Sequence, residues 1–197
     1  MARPRLRLTA ACPATSGSRR DEQGAIALEA AIVFLFLFTL LAGVVDVSLF
    51  FKDTYSVSSA ARAGARMAAA DPLSTTFARD TATQVASALT DLDYSRVTEI
   101  WVYKADPDTG DTMSGSTCGT KCVKFTLTAP GVASAGTGTW TSRNACASTS
   151  VDVDSVGVLV RYRHKAAVMF ANNQIITERV TMRLEQIPST QQCVSVP

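Results

Sequence analysis

One carboxylate, Glu29, sits inside an otherwise apolar run, five residues after Gly24. An ionisable group in a membrane span costs about 2.5–3.5 kcal/mol near the bilayer centre and less near an end, so it calls for a cationic partner. The apolar run supplies none. A cut after Gly24 would create one, because the new α-amine of Ala25 lies four residues before Glu29, one helical turn away. Glu29 could then pair with its own amine or with that of a neighbouring helix. Asp46, near the other end of the run, needs only the water interface.

Other reactive residue types are sparse. Four cysteines, Cys118, Cys122, Cys146 and Cys193, follow the apolar run, whereas Cys12 lies alone before it. An even number beyond a membrane suits disulfides, with three possible pairings that spacing does not choose between. Zinc is the weaker reading, since Cys118 and Cys122 have no matching second pair and no nearby histidine. The single histidine, His164, stands between Arg163 and Lys165 and is expected to be a polar surface residue rather than a base. Asp106-Pro107-Asp108-Thr109-Gly110-Asp111 reads as a Pro-Asp turn, because it lacks the spacing and closing glutamate of a calcium loop. There is no phosphate-binding glycine loop and no nucleophile elbow. The expectation is a protein without an active site, a metal or a cofactor.

The elements that must position Glu29 are plain. From Ala25 to Phe51, 22 of 27 residues are hydrophobic and five of the eight phenylalanines occur there. As a helix this stretch is about 40 Å long, enough to span a bilayer with some tilt. Residues 1–24 carry five arginines against Asp21 and Glu22, a net +3. That places them on the cytoplasmic side and the remainder of the chain outside. A cleaved secretory signal fits poorly, because the run exceeds the usual length and ends on Leu49-Phe50-Phe51 with no small-residue cleavage site. A formal net charge of +2 gives no reason to expect a nucleic-acid partner.

Arg20-Asp21-Glu22-Gln23-Gly24, then Ala25 to Glu29 and a span rich in phenylalanine and leucine, resembles a type IV pilin-like signal. With Ala60-Ala61-Arg62-Ala63-Gly64-Ala65-Arg66 beyond the span, the sequence resembles more narrowly the TadE-like proteins of tight-adherence (Tad) pilus systems. The resemblance covers Gly24 to Ala70. It implies cleavage between Gly24 and Ala25 by a prepilin peptidase and an assembly role for Glu29. It further implies contacts with membrane lipid and with other pilin-like or Tad secretion components. Arg62, Gly64 and Arg66 become candidates for helix packing or subunit contact. Ala30 stands where major Tad pilins carry tyrosine, which argues for a minor pilin, pseudopilin or assembly component rather than a main fibre subunit. The alternative function is a single-pass anchored binding module unrelated to pili.

The segment up to Ala70 contains no proline after Pro13, so one helix is expected from Ala25 to Ala70. Ser56, Ala60, Ala63 and Met67, with Ser59 beside them, are expected to form its packing face. A second helix is expected over Thr75–Leu89, capped by Ser74. Strands are expected over Arg96–Lys104, Lys121–Thr128, Ser155–Arg163 and Glu178–Ile187. A helical turn is expected over Lys165–Ala171, and loops over Ala105–Ser116 and Pro130–Ser150. The fold class is α+β: a long N-terminal transmembrane helix, continuing outside the membrane, packed with a small antiparallel sheet that has one buried face. The domains are a basic leader (1–24), the helix and its extension (25–70) and an extracytoplasmic α+β domain (71–197).

Overall fold

The computed structural model describes residues 18–146, 152–168, 173–188 and 194, with side chains from residue 24 onward. Its architecture is α+β: one long N-terminal helix followed by a small antiparallel sheet. Two compact units divide at Gly43, residues 1–43 and residues 44–197.

Helix α1 spans Ser18–Ala70. The hydroxyls of Thr39, Ser48 and Thr54 donate back to the carbonyls of Leu35, Val44 and Phe50, so they add no unsatisfied polar group to an apolar helix. Asp71-Pro72 stops it, because the residue before a proline is pushed out of the helical region. In the first unit the side chains of α1 from Ala25 to Leu41 are solvent-exposed and largely apolar. This helix is long and apolar enough to cross a membrane.

In the second unit, α1 turns a stripe inward. Asp46, Val57, Ala60, Ala61, Ala65 and Ala68 are buried, with Phe50 and Asp53 half-buried along the same line. Steps of three and four residues keep them on one face. The expected face was rotated from this one. Ala60 belongs to the stripe, but Ser56 and Ala63 are half-buried, and Ser59 and Met67 are exposed. Small residues misled because they occupy both sides of this helix, and only the packed side excludes water.

Helix α2 is Phe77–Ala88, two residues shorter at its start than expected. Ser74 does not cap it directly. Its hydroxyl accepts from the amide of Thr76, the residue just before the helix, while Thr76 Oγ1 donates to Asp80 at 2.5 Å. Phe77, Thr81, Ala82, Val85 and Ala86 form its buried face.

Among the described residues seven strands follow: β1 (Val97–Ala105), β2 (Cys122–Phe125), β3 (Leu127–Ala129), β4 (Val132–Ala133), β5 (Thr137–Thr139), β6 (Ser155–Arg163) and β7 (Ile175–Arg183). Five make an antiparallel sheet in the order β5-β2-β1-β6-β7, and β3 pairs with β4 separately. The expected strand Lys121–Thr128 is therefore two strands, β2 and the start of β3. β7 begins and ends earlier than expected. β4 and β5 lie inside an expected loop: β5 is a fully exposed Thr-Gly-Thr edge with no apolar alternation to announce it. Lys165 and Ala166 are irregular and Ala167 and Val168 form a bend rather than a helical turn, and residues 169–171 of that expectation lie outside the described residues.

The main core joins Ile100 and Val102 of β1, Val123 and Phe125 of β2, and Val156, Val158, Val160 and Tyr162 of β6 to α1 and α2. The centre of the other face of the sheet is buried as well, which the expectation of one buried face missed. Trp101, Tyr103, Ala105, Cys122 and Leu159 form a second cluster with Cys118 packed on it.

Candidate functional site

Gly24, Ala25 and Glu29 lie on the exposed surface of α1. A Cβ added to Gly24 would meet nothing within 4 Å. Among the described residues Glu29 has no cation within ion-pair distance. The carboxylate stands on an exposed face beside Ile26, Leu28, Ile32 and Val33.

Asp46 differs from the interfacial group expected. It is completely buried, and its Oδ1 accepts hydrogen bonds from the Ala167 and Val168 amides at 2.8 and 2.9 Å. Two turns further along, His164 corrects a second expectation. It is fully buried, with Nδ1 2.7 Å from Asp53 Oδ2 and its ring edge-on to Phe50 at 5.3 Å. Both pairs tie α1 to the end of β6 and the segment after it. Sequence reasoning missed them because each partner lies more than a hundred residues away, although the spacing of Asp46, Phe50 and Asp53 matches one helical face.

In the Ala-Ala-Arg-Ala-Gly-Ala-Arg segment, the small residues and the arginines part ways. Gly64 is buried, and a Cβ there would collide with Val85 Cγ2 of α2 and touch Val158 Cγ1 at 3.5 Å. The glycine thus lets α2 and β6 approach α1 closely. Arg62 and Arg66 point away, are exposed and, among the described residues, have no carboxylate within ion-pair distance. Of the three candidates, Gly64 therefore packs the helix inside the chain, and the arginines are left at its surface.

Cys118 and Cys122 form a disulfide that closes a short loop. Cys146 is also disulfide-bonded. Cys193 and Cys12 lie outside the described residues. Among the described residues no group of three or more histidines, cysteines or acids is placed to hold a metal. The Asp106 segment is a turn: Asp106 Oδ1 accepts from the Thr109 and Asp108 amides, and these bonds hold its carboxyl below the usual range.

The outer face of the sheet carries a charge network around Glu99. Glu99 pairs with Lys124 and, at 2.9 Å, with Arg161, whose guanidinium lies 4.6 Å from the Trp101 ring. Burial works most strongly against ionising Glu99, yet Lys124, Arg161 and the Trp101 indole together keep its carboxyl below the usual range. Tyr103 is buried beneath the 106–121 loop and its hydroxyl donates to the Gly110 carbonyl at 3.0 Å. Burial pushes its phenol up to about 12.

Arg143, which drew no attention in the sequence, is an anchor. It is buried, and donates to the carbonyls of Pro72, Trp140 and Ser74 at 2.6, 2.6 and 2.8 Å. Its guanidinium covers the Phe77 ring at 4.5 Å. Burial lowers its affinity for the proton, against the opposing charge of Asp71. It ties the segment after β5 to the α1–α2 connection.

No curated protein and no solved structure matches the chain. A family model described as TadE-like protein matches residues 24–66, a stretch that opens at Gly24, includes Glu29 and closes at Arg66. Over that stretch, under a quarter of its length, this chain is similar to the TadE-like family, as its motifs led us to expect.

Proposed function

We propose that this chain is a non-catalytic, membrane-anchored minor pilin, pseudopilin or assembly component of a Tad-type pilus. Its α1 would cross the cytoplasmic membrane with residues 1–24 inside and the sheet-bearing unit outside. The TadE-like match supports the association with Tad machinery. The observation that carries the finer reading is Glu29: an exposed carboxylate on an apolar helix, without a cation among the described residues, one turn from Ala25. Cleavage by a prepilin peptidase after Gly24, in the exposed N-terminal part of α1, would supply the missing amine. Glu29 would then pair with that amine across neighbouring helices during assembly. Arg62 and Arg66, exposed on α1, are available for contacts with other pilin-like subunits.

N-terminal mass spectrometry of the membrane fraction, with and without the cognate peptidase, tests this. The expected mature chain begins at Ala25 only when the peptidase is present, and Glu29→Ala reduces assembly. An intact Met1–Gly24 segment in the presence of the peptidase would overturn the reading.

A further inference from the structure

The β6–β7 connection is fastened to α1 at an unusual level. Its Ala167 and Val168 amides bond Asp46, whose helical neighbours Val44, Val45 and Val47 are exposed and apolar. Phe51, also exposed, marks the end of the apolar run and lies about 7 Å further along the helix axis. The connection thus reaches past the end of the run to the depth of its last valines.

The order of residues along this connection is that of an interfacial anchor. Arg163 and Lys165 are exposed, as is Lys52 on the adjoining turn of α1. Then come Ala166, Ala167 and Val168, the last two exposed. On the return strand Ile175 is exposed too. Cations at headgroup level with an apolar tip beyond them suit a lipid surface.

The geometry points to a second membrane contact: Ala167 and Val168 enter the headgroup–acyl boundary of the bilayer that α1 crosses, with Lys52, Arg163 and Lys165 at the phosphates. The exposed valines beside Asp46 continue directly from the apolar run of α1, which favours lipid as the occupant over a second copy of the chain. The Ala167 and Val168 amides find their acceptor in Asp46, as any water-free surroundings require. Asp46 is thereby the group that lets non-helical backbone sit at membrane depth.

The inference rests on the reading that the apolar part of α1 spans a bilayer, and the test separates the two. The full chain carrying Cys12→Ser is reconstituted into vesicles of phosphatidylethanolamine and phosphatidylglycerol. A small fluorophore is attached, without reduction, at Val168→Cys, at Phe34→Cys in the run, or at Met113→Cys, an exposed loop position. Quenching by acyl-chain nitroxide lipids is compared with quenching by aqueous iodide. The label at 168 should be quenched by the lipids several-fold more than that at 113, and be shielded from iodide. Iodide quenching at 168 equal to that at 113, with Phe34 still lipid-quenched, would overturn the inference alone. Shielding at 168 from both quenchers would mean a protein partner and would also overturn it. A water-quenched label at Phe34 would remove the spanning reading and the inference with it.

Discussion

His164 Nδ1 lies 2.7 Å from Asp53 Oδ2, joining the end of β6 to α1 inside the protein. Removing the ring leaves a carboxylate that is mostly withdrawn from water without its partner. His164→Leu should therefore lower stability by about 2 kcal/mol. Asp53→Asn should cost about half as much, because an amide can still bond the ring. Denaturant unfolding of the full chain in detergent micelles checks both, and equal stabilities for all three proteins would dismiss the pair as structural.

Gly64 and Val85 make a similar joint between the helices. A Cβ at Gly64 collides with Val85 Cγ2, and the β-branched side chain has little freedom to step aside. Gly64→Ala should destabilise by about 1–3 kcal/mol, more than the helix propensity of alanine returns. In a double-mutant cycle, Val85→Ala should relieve at least about 0.5 kcal/mol of that loss. Additive effects would show that the approach is looser than described.

The Tyr103 phenol, pushed up to about 12 by burial, makes stability depend on alkaline pH. An unfolded tyrosine loses its proton near pH 10, whereas the folded one holds it. The contribution is complete below about pH 10 and disappears as pH rises through about 12. Ultraviolet titration should show a late-ionising phenolate that is absent in Tyr103→Phe. The substitution should also cost about 1 kcal/mol at neutral pH through the lost bond to the Gly110 carbonyl. A wild-type stability curve parallel to that of Tyr103→Phe above pH 10 would refute this.

Arg143 bonds three carbonyls at once, which a lysine cannot do with the same planar fork. Arg143→Lys should therefore lose about 2 kcal/mol, and hydrogen exchange should quicken in the α1–α2 connection. Wild-type exchange rates there would mean that the anchor is redundant.

Cys146 is disulfide-bonded and Cys118 is joined to Cys122, so Cys193 is the remaining candidate on the same side of the proposed membrane. A non-reducing peptide map should recover a Cys146–Cys193 linkage. Recovery of Cys193 as a free thiol in the secreted-side protein would exclude it.

What the sequence disclosed follows physical range. The apolar run, the stop at Asp71-Pro72 and β6, with Val156, Val158, Val160 and Tyr162 on the core face, depend on neighbours along the chain, and each was legible. The burial of His164 and Asp46 depends on a meeting of α1 with a segment far away in sequence. Flanking cations made His164 look like a surface residue, although only Arg163 and Lys165 face outward. At the candidate site the positions of Gly24 and Glu29 were readable from the motif. The division of labour between Gly64 and the two arginines needed the packing partner Val85.

The stripe on α1 from Asp46 to Ala68 is about 33 Å long and is bound to the sheet-bearing unit at many levels along its length. A force drawn along the helix axis would load these joints together, in shear, rather than peel them apart one by one. The helix also cannot rotate about its own axis without expelling Asp46, Asp53 and Gly64 from their seats. Traction or torque applied to this helix would therefore be handed to the sheet as to a rigid lever.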